Sequence, residues 1–318
     1  YAKNDFIMKA EYQKKAAKFI KYKDAQSSKR IYHAVKKAKK KSLAAKILES
    51  EILNKIFMRF RKSRYYFPVM KMFYNIARKV LPVDKKLILF ESGIGKQYAD
   101  SPKFIYEKII KSGLKYKFVW VNNSNIRFED NNTIKIKRLS PKYYYYLARA
   151  KYWVNNQNFP TYIKKRPQTI YLQTWHGTPL KKMLYDMKEV HGRSDDYIER
   201  VGKAIKNWDY LISPSPYATK AFKSAFRYKN EVLEVGYPRN DIFYKEDRRK
   251  LAQKVRNKLH LKQNKKIILY APTFRDNQTL RKNKFYFDIN MDMKLMKGSL
   301  AKDYVLLFRM HVVISNQI

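Results

Sequence analysis

The sequence predicts an α/β protein built on a mainly parallel, doubly wound sheet, and three observations carry that reading. From Lys85 onward, short β-prone runs alternate with helical stretches, the pattern of successive β-α units. Prolines open several of those helices at the first turn, where a missing N–H leaves no bond unmade. Glycine is scarce, eight in 318 residues, and Gly93, Gly95, Gly177 and Gly236 all follow or end strand candidates. A doubly wound sheet binds ligands outside the carboxyl ends of its strands, so these glycines fall where a crevice forms.

The chain begins with a basic helical segment over residues 1–80. Its first 64 residues hold 20 Lys or Arg against 5 Asp or Glu, a net +15. Leu43, Ile47, Ile52, Ile56, Phe57 and Phe60 recur at mostly three- to five-residue steps, with Lys46, Lys55 and Arg59 elsewhere around the helix. A basic amphipathic helix reads either as a membrane-surface element or as one docked on its own catalytic domain.

A first α/β domain follows over 81–245. Its strand candidates are Leu87–Glu91, Lys117–Val121, Thr133–Lys137, Tyr152–Asn155, Thr169–Gln173, Tyr210–Ser213 and Val232–Gly236, each an apolar, β-branched or aromatic run. Helices are expected at Pro102–Lys111, Pro141–Ala150, Tyr197–Lys206 and Pro216–Phe226, and one is expected after the Trp175–Pro179 string. The Tyr143–Tyr146 run reads as a helix packing surface. A second block over 246–318 opens with a charged helix, roughly Lys245–His260. It holds strands at Lys266–Tyr270 and Tyr304–Phe308 with a polar stretch between. Two strands do not make an independent sheet with covered faces, so the chain is expected to end inside its second domain. It also starts at Tyr1 rather than Met, as an internal fragment would.

Composition narrows the function classes. With 45% hydrophobic and 15% aromatic residues the chain is not disordered. It has no cysteine, which excludes disulfides, zinc–thiolate sites and cysteine nucleophiles and fits a reducing cytosol. No apolar run approaches the roughly 18–20 residues that span a bilayer, and no secretory leader is visible. The net charge of +45 points to a polyanionic partner, nucleic acid or an anionic membrane surface. A nucleic-acid binder would account for the charge, yet no nucleic-acid module is recognisable and the strand-end motifs would stay unexplained.

Those motifs carry the chemistry. In Leu172-Gln173-Thr174-Trp175-His176-Gly177-Thr178, a histidine sits just past a strand, able to hold or move a proton near neutral pH. Gly177 lets backbone N–H groups approach an anion, and the helix expected next would add a favourable dipole. Phe90-Glu91-Ser92-Gly93-Ile94-Gly95-Lys96 matches neither the dinucleotide fingerprint nor the P-loop spacing, and reads as a flexible strand-end loop facing the crevice. Ser213-Pro214-Ser215-Pro216 offers hydroxyls at a strand end and reads equally as a plain helix cap. Gly236-Tyr237-Pro238-Arg239-Asn240-Asp241, Tyr270-Ala271-Pro272-Thr273-Phe274-Arg275 and Phe308-Arg309-Met310-His311 each place an arginine just past a strand. Arginine is the natural bidentate partner of phosphate, so these strings converge on one ligand class. His33, His191 and His260 lie in basic or polar stretches and read as structural or surface residues. No carboxylate pair or histidine pair has metal-ligand spacing.

Six strings in chain order, Glu91-Ser92 through Ser101-Pro102-Lys103, Gln173-Thr174-Trp175-His176-Gly177-Thr178, Ser213-Pro214-Ser215, Gly236-Tyr237-Pro238-Arg239-Asn240-Asp241, Tyr270-Ala271-Pro272-Thr273-Phe274-Arg275 and Arg309-Met310-His311, resemble the CDP-glycerol glycerophosphotransferase family, the teichoic acid polymerases and primases of Gram-positive bacteria. The resemblance runs from about Lys85 to the end of the chain. It implies a GT-B-like fold, two Rossmann-like domains facing a cleft, and a metal-independent transfer without a cofactor, CDP-glycerol being a substrate. It implies an essential histidine pair, His176 and His311 here. Donor phosphate and nucleotide would meet Gly177, Thr178, Ser213, Ser215, Arg239, Asn240, Asp241, Thr273, Arg275 and Arg309; Ser92, Gly93 and Gly95 would form an acceptor-side loop.

The expected reaction moves glycerol phosphate onto a hydroxyl of a lipid-linked, teichoic acid-type acceptor with release of CMP, at the cytoplasmic face of the plasma membrane. A CDP-ribitol-using or priming transferase of the same family is the nearest alternative, and a GT-B nucleotide-sugar glycosyltransferase a more distant one. Two departures stand out: Val312 replaces the family's usual proline, and the family's downstream aspartate and serine motif is expected beyond Ile318.

Overall fold

The computed structural model describes residues 51–126, 128, 130, 132–188, 196–245, 247–272, 279–281, 284–285 and 291–310. The chain divides into two compact units, Tyr1–Tyr66 and Phe67–Ile318. In the first, helix α1 spans Glu51–Lys62. Leu43 and Ile47 of the expected stripe lie outside the described residues. Phe57 and Phe60 set their rings edge-on to Tyr66, at 6.4 and 5.4 Å, while Ile56 is exposed.

Helix α2, Tyr66–Val80, leads into the second unit. Met70, Tyr74 and Ala77 form its buried stripe at four- and three-residue steps, the spacing of one helix face. The Tyr74 hydroxyl donates to the Lys164 carbonyl at 2.7 Å.

The main sheet comprises β1 (Asp84–Glu91), β2 (Lys117–Val121), β3 (Thr133–Ile136), β4 (Ala150–Asn155), β5 (Ile170–Gln173), β6 (Tyr210–Ser213) and β7 (Glu231–Glu234). All neighbouring pairs are parallel, and the order is β3-β2-β1-β4-β5-β6-β7. The crossovers contain α3 (Asp100–Lys111), α4 (Pro141–Arg149), α5 (Tyr197–Ile205) and α6 (Pro216–Ala225). The expected seven strands and four helices are thus present, with ends displaced by a few residues. Ser140 caps α4 and Ser215 caps α6, each hydroxyl accepting a backbone N–H at 3.3 Å.

Burial explains the strand sequences. The last five residues of β1 and last four of β2 are all buried, as in a parallel sheet covered on both faces. Phe90 stacks on Trp120 at 5.3 Å, and Tyr106 of α3 meets both rings edge-on. Tyr143 and Tyr144 are fully buried, so the tyrosine run of α4 is in part packing surface.

Beyond the sheet lie α7 (Arg248–Lys258), β8 (Lys266–Tyr270), β9 (Thr279–Arg281), β10 (Lys284–Phe285), α8 (Met293–Leu300) and β11 (Tyr304–Phe308). β8 and β11 pair in parallel, with Tyr270 opposite Phe308. The stretch read as merely polar contains the antiparallel pair β9·β10 and helix α8, both too short for a reliable periodicity. Among the described residues, no helix is long and apolar enough to cross a membrane.

Candidate active site

The strand order fixes where a site belongs. From β1 the chain runs outward through β2 and β3, then returns to β4 on the other side and continues to β7. The carboxyl ends of β1 and β4 therefore flank the switch point, where a doubly wound sheet leaves a crevice.

Asn156, one residue past β4, stitches that point together. Its Oδ1 accepts the Gly93 N–H at 3.0 Å, and its Nδ2 donates to Ser92 Oγ at 3.2 Å and to Asp100 Oδ2 at 2.8 Å. Ser92 is fully buried, and Gly93–Gly95 form a 3-10 turn. At Gly95, with φ +70°, a Cβ would lie 3.2 Å from Arg138 Cβ and 3.3 Å from Val121 Cγ1, so a side chain there would be strained in backbone and tight in space. The Gly95 carbonyl accepts the Asn123 N–H at 2.7 Å. The loop expected to be flexible is a tied turn.

His176 reaches this point from β5. Gln173 Oε1 accepts the Trp175 N–H at 2.9 Å, and Trp175 adopts φ +51°, rare for an aromatic residue. Beyond that turn, His176 Nδ1 lies 2.8 Å from the Asn156 carbonyl, with the Gln157 amide flanking the same nitrogen at 3.3 Å. A carbonyl only accepts, so Nδ1 carries the proton and Nε2 keeps its lone pair. The Trp175 ring stacks on the imidazole at 4.3 Å and is itself packed by Trp208, Phe222 and Phe226. His176 is open to solvent on one side, yet the protein around it lowers its pKa by desolvation. The Arg239 guanidinium adds to that shift, whereas the Asn156 carbonyl and Asp100 carboxylate oppose it.

Arg239 is the second residue of the 3-10 run Pro238–Tyr244 that follows β7. Its Nη1 donates to the His176 carbonyl at 2.8 Å and to Asp100 Oδ1 at 3.0 Å, and its guanidinium lies over the Tyr237 ring. The Tyr237 hydroxyl donates to the Gly177 carbonyl at 3.0 Å. A Cβ at Gly177 would meet no protein atom within 4 Å, so the space beside His176 stays open. Thr178, Asn240 and Asp241 are exposed nearby in sequence.

Other expected site residues stand differently. The Ser213 hydroxyl is buried, donating to the Ser215 carbonyl at 3.0 Å and accepting from Thr219 Oγ1 at 2.9 Å. It offers no surface to a ligand and fixes the start of α6, as the cap Ser215 also does. Arg309 is exposed just past β11, where its N–H donates to the Tyr270 carbonyl at 2.9 Å. Tyr270 and Phe308 thus lie side by side at one end of the β8·β11 pair, with Arg309 bonded across it. Thr273, Arg275, His311 and His191 themselves lie outside the described residues.

The helix expected after His176 is a correction. From Thr178 to Lys188 the only helical turn is the 3-10 segment Leu184–Asp186. Leu180 is 84% exposed whereas Leu184 is buried, so residues four apart do not share one face. Side-chain anchors hold the segment instead: Arg227 covers the Tyr185 ring at 4.1 Å, and Asp186 accepts from Ser224 Oγ at 2.5 Å. Within residues 178–188, therefore, no α-helix begins that would aim its dipole at Gly177. Asp100 and Asn156 were missed altogether. The amide-rich Asn155-Asn156-Gln157-Asn158 run directly after a strand was the available signal for one of them.

The sequence profile of the CDP-Glycerol:Poly(glycerophosphate) glycerophosphotransferase family matches residues 72–318. The chain belongs to this family. This glycerophosphotransferase-family chain is 40% identical over 275 residues to the teichoic acid poly(glycerol phosphate) polymerase of Bacillus spizizenii, covering 83% of itself and 68% of that protein. It is 38% identical over 285 residues to the protein of the same name in Bacillus subtilis, covering 88% of itself but 37% of the relative. The structure of the wall teichoic acid polymerase TagF matches with TM-score 0.70 and 37% identity, over 84% of this chain and 65% of that one. The chain thus spans between 37% and 68% of the lengths of these relatives.

Proposed function

We propose that this chain transfers glycerol phosphate from CDP-glycerol to a hydroxyl of a lipid-linked, teichoic acid-type acceptor, with release of CMP. The observation that carries the reading is His176 at the switch point, its Nδ1 engaged by a carbonyl and its Nε2 left as the basic nitrogen. The polymers named for its relatives favour glycerol over ribitol as the transferred polyol.

His176 Nε2 takes the proton of the attacking hydroxyl as its oxygen bonds to the β-phosphorus. The bond from that phosphorus to the bridging oxygen breaks, and CMP departs. Arg309 and Arg275 hold the departing phosphate, and His311 holds or protonates it. Arg239 and the Gly177–Thr178 backbone line the donor side, and the Ser92–Gly95 turn the acceptor side. With cations supplied by side chains, turnover is expected to persist in excess chelator. Inhibition reversed by magnesium or manganese would count against this arrangement.

A lipid-linked acceptor places the enzyme at the inner membrane leaflet, and the basic first segment suits an anionic surface. The deciding assay follows CMP release by the full-length protein with a lipid-linked acceptor and either CDP-glycerol or CDP-ribitol. Release with CDP-glycerol is expected; release with CDP-ribitol alone, or with neither donor, overturns the proposal.

A further inference from the structure

Three residues from three separate segments build the surroundings of His176, and one of them, Asp100, touches both of the others. Asp100 begins α3, in the crossover from β1, with φ +61° and a side chain 13% exposed. Its Oδ2 accepts from Asn156 Nδ2 at 2.8 Å, and its Oδ1 accepts from Arg239 Nη1 at 3.0 Å and from the Ser101 N–H at 2.8 Å. Asn156 in turn holds the His176 ring through its carbonyl, and Arg239 holds the His176 backbone through the carbonyl of that residue.

We propose that Asp100 is the positioning residue of the site: one carboxylate fixes both groups that grip His176, and so sets where Nε2 points. This deepens the proposed function and rests on His176 being the base. The geometry gives three reasons. First, the links are long in sequence, 56 residues from Asn156 and 139 from Arg239, so they join β1, β4 and β7 crossovers rather than stabilise one turn. Second, all its partners are donors, which only a carboxylate satisfies on both oxygens. Third, Asp100 holds a left-handed conformation that asparagine and aspartate tolerate better than most residues, a local strain kept where the chain must turn its carboxylate into the switch point. Among the described residues, the charged and titratable groups facing His176 are Asp100 from α3, Arg239 from the 3-10 run after β7 and, through the Gly177 carbonyl, Tyr237, whose pKa is raised by burial.

The test uses the full-length protein with imidazole-labelled histidine. Asp100→Asn keeps shape and suits the positive φ, but turns an NH2 toward a donor; Asp100→Gly also suits that φ and removes both acceptors. Both are expected to fold and to lower kcat by about 10²-fold, the cost of a small misplacement of a reacting group, with KM for CDP-glycerol moving far less. By NMR, the His176 titration should shift to lower pH in Asp100→Asn, because a neighbouring negative charge is gone, and the preference for protonated Nδ1 should weaken. Asp100→Glu keeps the charge but lengthens the arm and is expected to stay slow. A wild-type kcat in any of the three, or a His176 titration unmoved in Asp100→Asn, overturns the proposal. If His176→Ala itself proves active, the base assignment fails, while the titration still decides whether Asp100 positions the ring.

Discussion

His176 owes its proposed role to two contacts on one side of a ring. The Asn156 carbonyl settles the tautomer, and the Trp175 stack leaves the ring little freedom to rotate. Replacing it with alanine removes the base but neither anchor of the surrounding backbone, since Arg239 bonds to the main-chain carbonyl. His176→Ala should therefore lower turnover by about 10²–10⁴-fold with the thermal midpoint nearly unchanged. A near-normal kcat in the folded variant would remove His176 from the mechanism. The pH dependence follows from the same surroundings. Desolvation first, then Arg239, pulls the imidazole below its ordinary pKa of about 6.5. The neutral form, the one able to accept a proton, accordingly dominates at neutral pH. As pH falls, kcat/KM should decline with a midpoint below that of an ordinary imidazole, because protonation then occupies Nε2. An acid limb with its midpoint above the ordinary imidazole value would assign the base to another group. Little of this was legible beforehand. The Trp175-His176-Gly177 string announced a histidine past a strand, but the tautomer depends on Asn156, twenty residues upstream, which only the β4–β5 pairing brings close.

At the scale of elements, the strands were legible because burial on both faces leaves near-continuous apolar runs, as in Phe118–Val121. Their order was not, since nothing local says that β4 lies beside β1 rather than β3, and the switch point exists only in that order. The segment after Thr178 misled for a related reason, its shape being set by distant Ser224 and Arg227 rather than by its own periodicity. The buried pair Glu91–Arg138 shows how elements are tied around the site. Glu91, fully buried at the end of β1, accepts from Arg138 Nε at 2.9 Å just beyond β3. Burial pushes the Glu91 carboxyl above its ordinary pKa, with Arg138 working against that shift. Arg138→Ala leaves the carboxylate without its cation and should destabilise by about 3–5 kcal/mol, read from denaturant unfolding. Adding Glu91→Gln to Arg138→Ala removes the orphaned charge and should restore part of that loss. A double variant no more stable than Arg138→Ala alone would mean that Glu91 is not the source of the penalty.

For the molecule as a whole, charge and exposed apolar surface have to be considered together. A net +45 across 318 residues, with +15 in the first 64, creates a strong attraction for an anionic surface. Helix α2 adds an apolar side that its buried stripe does not use: Met72 is 58% exposed, Ile76 54% and Val80 74%, with Lys71 and Lys79 exposed among them. A helix apolar on both sides with one side open is a poor arrangement in water. At a membrane the same helix gains twice, the apolar residues entering the headgroup boundary and the lysines meeting anionic lipid. Each basic residue near such a surface contributes roughly 1 kcal/mol and is screened within about 8 Å at physiological salt. Binding to anionic vesicles should therefore fall as salt rises, and neutral vesicles should bind less well. Deleting the first 64 residues should weaken binding strongly, and changing Met72 and Ile76 to serine should weaken it further without touching the charge. Vesicle sedimentation across a salt series, with the thermal midpoint of each variant alongside, separates this from the rival. Unchanged vesicle binding together with a lowered thermal midpoint after the deletion would mean that the basic segment packs on the catalytic unit. Its charge would then be a solvated face, and the tether would have to be abandoned.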